Sequence, residues 1–335
     1  MPAVSAPAKV LVTGANGYLG VWLVRSLLEH GYHVRGTVRT TTKGDTLKLR
    51  VADLADRFEY VIVDDVLKDG AFDDAVRGID IIMHTLSPNV LSMLPEEVIG
   101  PAVKGTVSIL ESAEKHQDTV KRVVITGSIG AIMRWPPGDP RVYDESVVNE
   151  AAVQDVEQGS KDPVTIYCAS KTKAEQKAWA FMKEKEISTF DLVFLNGAIF
   201  IGPPAHPIGG IPEMTLALQH FYLGVIHGRT EATMFRPGSG WIDVRDVALS
   251  HILAAQKPEA GGQRIILSAG DFVLPELNAV AHAIDPALPK GEKAAEKIYQ
   301  FDSSRMRQVL GLVPRSLEDS IRDSLAFYRT IPGTA

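Results

Sequence analysis

The stretch Lys9–Gly20, KVLVTGANGYLG, decides the fold of this chain. It begins as a short apolar run of β-forming residues and continues into glycines with the spacing GxxGxxG. Apolar residues then recur at helical spacing from Tyr18 to His30, and Gly31 ends that helix. A strand, a glycine-rich turn and a helix in this order predict the first βαβ unit of a dinucleotide-binding sheet.

The glycine loop itself predicts a pyrophosphate site. Backbone N–H groups at the start of a helix bind anions, and a loop of glycines lets a phosphate approach them. A Cβ would block the tight turn, the phosphate and the close packing of helix on strand. We therefore expect the loop to contact a dinucleotide through Gly14, Asn16, Gly17, Tyr18, Leu19 and Gly20.

Apolar runs and helix-like segments alternate along the first 126 residues. Strands are predicted at 34–38, 58–63, 79–83 and 122–125, and the longest intervening helix at 95–113. Buried strands that alternate with helices form βαβ units with right-handed crossovers. The predicted fold class is α/β, a doubly wound parallel sheet of the Rossmann type.

The alternation weakens after Ser128. A polar helix is predicted from about Val164 to Lys185, a further apolar strand over Leu192–Ile201, and a helix N-cap at Asp243. Other parts of the second half are rich in Pro, Gly and aromatic residues and have no clean period. We predict a dinucleotide-binding domain from residues 8–200 and 241–270, and a smaller, discontinuous C-terminal substrate-binding lobe from 201–240 and 271–325.

Basic residues follow the second predicted strand, where NAD enzymes carry an acid that binds the ribose 2′-hydroxyl. This chain has Arg35 and Arg39 there, Lys43 close behind, and no carboxylate before Asp45. A solvated basic loop is the alternative interpretation. In a chain of net charge −6, however, the local cluster favours Arg39 and Lys43 binding the 2′-phosphate of NADPH.

Three side chains are predicted to form a catalytic group. Tyr167 and Lys171 are four residues apart in the long helix and so share one face. At ~4 Å and an effective dielectric of about 20, the lysine attracts a phenolate by ~4 kcal/mol, which lowers the tyrosine pKa. Such a tyrosine can transfer a proton to a carbonyl oxygen. Ser128 closes the fifth strand, whose carboxyl end faces the ligand crevice, and its hydroxyl can bind the same oxygen.

Composition argues against several other classes of protein. A net charge of −6 gives no general attraction for nucleic acid or an anionic membrane, and the apolar stretches are shorter than the ~20 residues of a membrane helix. Cys168 is the single cysteine, so no internal disulfide can form, and the histidines show no metal-ligand spacing. With no signal-peptide pattern at the N-terminus, we expect a cytoplasmic protein without a metal.

Several motifs together resemble the extended short-chain dehydrogenases/reductases, and within them the dihydroflavonol-4-reductase-like enzymes and fungal carbonyl reductases. They are the TGANGYLG loop, RGTVR, Asp64-Asp65-Val66, TGS at Thr126–Ser128, YCASK, and WIDVRDVA at Trp241–Ala248. The resemblance implies hydride transfer from the nicotinamide of NADPH to a carbonyl. It implies Tyr167 as the proton donor, Lys171 on the nicotinamide ribose and Ser128 beside the substrate oxygen.

The resemblance also implies further cofactor contacts. It assigns Asp65 and Val66 to the adenine and places Thr85 and Ser87 beside the cofactor. Two positions depart from the family pattern. Gly127 stands where the family commonly has a serine, and Asn196-Gly197 stands where it usually has a proline near the nicotinamide. We expect the first to be tolerated; the second removes a rigid element, although Gly197 is still assigned to the cofactor site.

The predicted function is reduction of an aldehyde or ketone to an alcohol. The apolar and aromatic second lobe favours a small carbonyl substrate that is itself apolar or aromatic. One alternative is a sugar-nucleotide epimerase or dehydratase, which retains its nicotinamide cofactor and, as the resemblance implies, mostly uses NAD. Another is a non-catalytic NADPH sensor, a class that typically lacks the tyrosine. The basic region at Arg39 and the apolar second lobe argue against the first, and the intact set of Ser128, Tyr167 and Lys171 argues against the second. The oligomeric state is left open.

Overall fold

The computed structural model describes residues 3–87, 91–136, 138, 140–187, 189–206, 208–229, 238–291 and 299–331. In chain order its strands are β1 (Lys9–Thr13), β2 (His33–Val38), β3 (Phe58–Ile62), β4 (Ile81–His84), β5 (Arg122–Ser128), β6 (Arg141–Tyr143), β7 (Asp191–Gly197), β8 (Ile199–Ile201), β9 (Ser239–Asp243), β10 (Arg264–Leu267), β11 (Gly270–Phe272) and β12 (Tyr299–Phe301).

The helices lie between and after these strands. They are α1 (Tyr18–Glu29), α2 (Thr41–Arg50), α3 (Asp73–Val76), α4 (Pro95–Lys115), α5 (Glu150–Glu157), α6 (Pro163–Glu184), α7 (Leu216–Phe221), α8 (Val244–Gln256), α9 (Leu274–Ile284) and α10 (Leu317–Tyr328). Helix α6 begins where Asp162 accepts a hydrogen bond from Thr165 N, with Pro163 in the first turn.

The central sheet confirms the predicted fold class. Its strands lie in the order β10-β7-β5-β4-β1-β2-β3, and every neighbouring pair is parallel. The order of the strands reverses between β1 and β4, whose last residues, Thr13 and His84, are paired. In an open parallel sheet, ligands bind beside the carboxyl ends of the strands at such a switch point.

Alternating side chains along each strand build one core on each face of the sheet. On β1, Val10 and Val12 belong to the core beneath α1 and α8, whereas Leu11 belongs to the core beneath α4 and α6. Val193 and Phe194 divide in the same way on β7. Because both faces are covered, these strands are apolar on both sides, which is why their sequences show continuous apolar runs.

The single strand expected over Leu192–Ile201 is a wrong prediction, because the chain forms two strands there. β7 ends at Gly197, and β8 joins a separate small sheet in the order β11-β9-β8. The ring of Phe200 lies over Gly197, so close that a Cβ there would be 2.5 Å from its Cε1. The absence of a side chain at Gly197 thus lets the chain fold back and leave the central sheet.

Residues after β5 form two small sheets beside the central one. In addition to β11-β9-β8, β6 pairs in parallel with β12, which joins residues 141–143 to residues 299–301. Neither strand of that pair was expected from the sequence. The division into two domains at the boundaries given above stays a prediction.

Two further findings concern the described residues only. Among them, no helix is both long and apolar enough to cross a membrane. Within the same part of the chain, no group of three or more His, Cys, Asp or Glu side chains is arranged to hold a metal ion.

A buried ion pair joins neighbouring strands of the sheet and gives a stability prediction. Arg122 is fully buried, and its guanidinium donates to both carboxylate oxygens of Asp191 at 2.6 Å and to the carbonyl oxygens of Ala254 and Lys257. Replacing Asp191 with alanine leaves this charge without its counterion. We expect the free energy of unfolding, measured by urea denaturation, to fall by about 3–5 kcal/mol.

The control for this prediction is Asp74→Ala, which removes the partner of Arg77 in an exposed pair. That variant should unfold at nearly the wild-type urea concentration, because exposed ion pairs contribute little. Equal effects of the two substitutions would contradict the assignment of a structural role to the Arg122–Asp191 pair.

Candidate functional site

A cleft of about 330 Å³ opens at the carboxyl ends of β1, β4, β5 and β7. Among the predicted site residues it is lined by Gly14, Gly17, Tyr18, Leu19, Gly20, Thr85, Ser87, Ser128, Tyr167, Lys171 and Gly197. Five others do not line it: Asn16, Arg39, Lys43, Asp65 and Val66. The structure therefore brings the predicted catalytic group and most of the glycine loop to one cavity.

The glycine loop is packed too closely to accept side chains. Gly14 has a positive φ of 68°, and a Cβ on Gly20 would lie 2.2 Å from the carbonyl oxygen of Gly14. A Cβ on Gly36 of β2 would lie 2.8 Å from Ala15 Cβ. Gly17 precedes α1 and has no side chain with which to cap the first N–H groups. This bare helix start, which faces the cleft, fits the pyrophosphate of a dinucleotide.

Hydrogen bonds fix the loop to the strands beneath it. Thr13 Oγ1 lies 2.9 Å from Nδ1 of His84, and the hydroxyl of Thr85 donates to the carbonyl oxygen of Thr13 at 2.7 Å. The hydroxyl of Thr37 accepts from Gly14 N. Burial lowers the pKa of His84 to about 3, so its ring is neutral at physiological pH and packs against Phe72.

The hydroxyl of Tyr18 connects the loop to the second half of the chain. It donates to the carbonyl oxygen of Gly202 at 2.6 Å, and the indole N–H of Trp22 donates to the neighbouring Pro203 at 2.8 Å. Tyr18 also lines the cleft, so a contact with the cofactor stays a prediction. The sequence did not indicate that the Tyr18 phenol also joins the loop to Gly202.

The basic residues after β2 lie at the surface. Arg39 and Lys43 are exposed at the end of β2 and the start of α2, and within the described part of the chain Arg39 forms no hydrogen bond or ion pair. Arg35 is turned away, toward Glu59 and the carbonyl oxygens of residues 75 and 77. The exposed guanidinium of Arg39 is thus available to an anionic ligand.

The predicted adenine contacts lie at the end of β3. Asp65 is exposed, and its carboxylate accepts from Leu67 N at 2.9 Å, which is an ordinary turn contact. Val66 is half-buried. This geometry accounts for Asp65 without a ligand, and the adenine assignment stays a prediction.

The catalytic group is assembled from β5 and α6. Ser128 ends β5, and its Oγ lies 3.3 Å from the hydroxyl of Tyr167, which donates to it. This separation is longer than the usual 2.7–2.8 Å between hydroxyl oxygens. Lys171 follows on the same face of α6, with Nζ 5.3 Å from the centre of the Tyr167 ring. Its ammonium donates to Ser87 Oγ at 2.5 Å.

Burial shifts the pKa values of this group in opposite directions. It raises the pKa of Tyr167 to about 12, an effect that the hydrogen bond to Ser128 only partly opposes. It lowers the pKa of Lys171 to about 8. The lowering of the tyrosine pKa that we expected from Lys171 is therefore wrong in direction, because burial of the phenol dominates its pKa. At pH 7 the phenol keeps its proton.

The two departures from the family pattern lie opposite each other in the sheet. Gly127 and Ser128 of β5 pair with Asn196 and Gly197 of β7. The Asn196 side chain fills the space beside Gly127, where a Cβ would be 1.9 Å from its Oδ1, and its amide donates to Glu175 of α6. Gly197 lies in the cleft beneath the Phe200 ring. Both glycines thus make room for larger neighbouring side chains.

Part of the cleft lining is apolar. The apolar lining residues include Met133, Trp135, Val164, Phe200 and Leu216. Two of these residues lie in the segment that follows β5, and Val164 is in the first turn of α6. The cavity therefore joins a polar half, formed by the glycine loop and catalytic group, to a half suited to an apolar molecule.

Comparison with known proteins adds independent findings. The family described as the NAD dependent epimerase/dehydratase family matches residues 10–270. Ketoreductase azaE of Aspergillus niger is 34% identical to this chain, covering 96% of it and 97% of the relative. These matches agree with the resemblance found in the sequence motifs.

Two solved structures of reductases are similar to this chain. Yeast methylglyoxal/isovaleraldehyde reductase Gre2 complexed with NADPH matches with a TM-score of 0.84 and 28% identity, over 95% of this chain and 97% of that one. Gre2 of Candida albicans in complex with NADPH matches with a TM-score of 0.82 and 30% identity, over 96% and 98%.

The lowered pKa of Lys171 gives a prediction about stability. Below pH 8 the folded protein holds a partly buried ammonium, whereas the lysine in the unfolded chain keeps its ordinary pKa of 10.5. Lys171→Met removes this cost, so at pH 7 the variant should be more stable by about 1–3 kcal/mol. Between pH 8 and 10.5 the wild-type lysine loses its proton first in the folded state, so the gain should shrink as the pH rises.

Urea denaturation at pH 7 and at pH 10 measures this difference. The matched control is Lys173→Met, which removes a lysine in the same helix that pairs with Glu157 at the surface. If the stability gained by Lys171→Met were the same at both pH values, or if this variant were less stable than the wild type at pH 7, burial of the ammonium would not be the cause.

Proposed function

This chain belongs to the NAD dependent epimerase/dehydratase family, and from that premise we propose that it is an NADPH-dependent reductase of aldehydes or ketones. One observation carries the proposal. Ser128, Tyr167 and Lys171 meet in the same cleft as the bare start of α1. A proton donor, a hydroxyl that binds an oxygen and a dinucleotide site therefore share one cavity.

The residues present fit NADPH. The start of α1 has no capping side chain, so its first N–H groups would bind the pyrophosphate, with Asn16, Tyr18 and Leu19 beside it. Arg39 and Lys43 would bind the 2′-phosphate, and Asp65 with Val66 would contact the adenine. Along the cleft, Thr85, Ser87, Lys171 and Gly197 would hold the nicotinamide end. Two Gre2 enzymes of the same fold carry NADPH in their solved structures, which supports this choice of cofactor.

Bound NADPH supplies a hydride to the carbonyl carbon. The chain itself must then deliver a proton to the carbonyl oxygen, and Tyr167 is the donor that the geometry offers. With its pKa near 12, the phenol is fully protonated at pH 7 and gives up the proton only to a stronger base. An alkoxide that forms at the reacting oxygen is such a base, so the raised pKa suits reduction.

Ser128 and Lys171 complete the proton-donating group. The long separation between Ser128 Oγ and the Tyr167 hydroxyl leaves room for a substrate oxygen to accept from both hydroxyls. The ammonium of Lys171 lies over the Tyr167 ring, where its charge would stabilise the phenolate that remains after proton transfer. Its donation to Ser87 shows that it can bond a hydroxyl, as it would to a ribose.

The apolar half of the cleft supports a substrate with an apolar or aromatic group. Met133, Trp135, Phe200 and Leu216 present carbon and ring surfaces there. A sugar nucleotide would instead need many hydrogen-bond partners and counterions for its phosphates. The similar ketoreductase of A. niger and the aldehyde reductase of yeast are consistent with a small carbonyl substrate.

The central test is turnover of aryl ketones, β-keto esters and aliphatic aldehydes, followed by loss of NADPH absorbance. Tyr167→Phe should lower kcat by about 10²–10⁴-fold, because it removes the general acid. NADPH binding, measured by fluorescence, should be retained. The control is Tyr32→Phe, which removes a hydroxyl bonded to Val4 and Gln256 away from the cleft. Binding of NADPH with no oxidation by any carbonyl would favour the sensor or the isomerase instead.

Cofactor selectivity is tested at Arg39. Arg39→Ala should raise KM for NADPH by roughly 10- to 100-fold, the effect expected from losing a charged hydrogen bond. KM for NADH should change little, because NADH has no 2′-phosphate. Lys48→Ala, at an exposed position farther along α2, is the matched control. Equal losses with the two cofactors would contradict the 2′-phosphate contact.

A further inference from the structure

The turn that follows Ser128 forms part of both halves of the cleft. A single turn of 3-10 helix at Ile129–Ala131 continues directly from Ser128, whose Oγ accepts from Gly130 N at 3.1 Å. Two residues later, the side chain of Met133 lines the apolar half. The conformation of this short segment thus sets where the Ser128 hydroxyl and the wall of the substrate pocket lie relative to each other.

One buried side chain outside the cleft holds this segment. Asn149 precedes α5 and is 3% exposed. Its amide donates to the carbonyl oxygen of Gly130 at 2.9 Å and to that of Met133 at 2.5 Å. Its own backbone N–H donates to the carbonyl oxygen of Ala131 at 2.9 Å. Three carbonyl groups of the turn are therefore bonded by one residue.

The remaining side-chain group of Asn149 connects the turn to α5. Its Oδ1 accepts from Ala152 N at 3.2 Å, which caps α5. Its carbonyl oxygen lies 3.5 Å from the hydroxyl of Thr172 in α6, which donates instead to the carbonyl oxygen of Cys168 at 2.9 Å. An ordinary N-cap requires only the first of these contacts. The side-chain amide of Asn149 additionally donates two hydrogen bonds to the segment that contains Ser128 and Met133.

We infer that Asn149 is a positioning residue, which fixes the turn after Ser128 to the start of α5, the helix packed against α6, and so sets the geometry of the carbonyl site. The inference rests on the proposed function. Removing the amide leaves the carbonyl groups of Gly130 and Met133 without these donors, so the turn must shift to find new partners. Small displacements of groups that orient a substrate reduce rates strongly. The cofactor loop has no hydrogen bond to Asn149 among the described residues.

The test is Asn149→Ser, which keeps a good N-cap for α5 but is too short to bond both carbonyls. With an aryl ketone that the wild type reduces, kcat/KM should fall roughly tenfold to a hundredfold. The dissociation constant of NADPH should stay within about twofold of the wild-type value. Asn149→Asp preserves the shape of the side chain and replaces the donors with an acceptor. It should likewise lower kcat/KM and leave the dissociation constant of NADPH nearly unchanged. If the serine variant does not fold, the aspartate variant tests the inference.

The matched control is Ser316→Ala, which removes the N-cap of α10, a hydrogen bond from Asp319 N at 3.1 Å. It should lower the Tm while leaving kcat/KM of the folded enzyme unchanged. If Asn149→Ser likewise lowers only the Tm, or weakens NADPH and carbonyl binding equally, the positioning role is overturned. Failure of the wild type to reduce any carbonyl would instead refute the proposed function, so the two failures are distinguishable.

Discussion

The close approach of the glycine loop to the end of β1 is the constraint on which the site depends. Helix α1 can begin there because Gly20 has no side chain to meet the carbonyl oxygen of Gly14, and the loop can lie on β2 because Gly36 has none. This packing places the start of α1 at the switch point between β1 and β4. The carboxyl ends of β5 and β7 lie along the same edge, so Ser128 and Gly197 are brought to the same cavity.

Burial then determines the protonation states of the group that faces this loop. It raises the pKa of Tyr167 and lowers that of Lys171, so both side chains are moved toward their uncharged forms. A protonated phenol is the form needed to reduce a carbonyl. The same burial removes hydration from the charged Lys171 ammonium and so destabilises the folded protein. Lys171 therefore serves the site and does not stabilise the fold. The raised pKa therefore supports the proposed role of Tyr167 as an acid more directly than the expected attraction between the two side chains does.

The sequence predicted what local patterns determine. The glycine spacing, the alternation of apolar runs with helices, and the four-residue spacing of Tyr167 and Lys171 led to the confirmed fold class and family. It did not predict what depends on contacts between distant residues. The strand over residues 192–201 divides because Phe200 packs on Gly197, and the direction of the Tyr167 pKa shift depends on burial. Asn149 looks like an ordinary helix cap until its amide is seen to bond Gly130 and Met133, which lie 19 and 16 residues earlier.

In the proposed reaction the cofactor is consumed as a reductant at this site, whereas an isomerase would return it unchanged. The most direct measurement uses NADPH that carries deuterium at both C4 positions, with an aryl ketone and the purified protein, and mass spectrometry of the product. We predict an alcohol with one deuterium on the carbinol carbon and one NADP⁺ formed per alcohol. An alcohol without deuterium, or a product that accumulates while the cofactor stays reduced, would contradict the account.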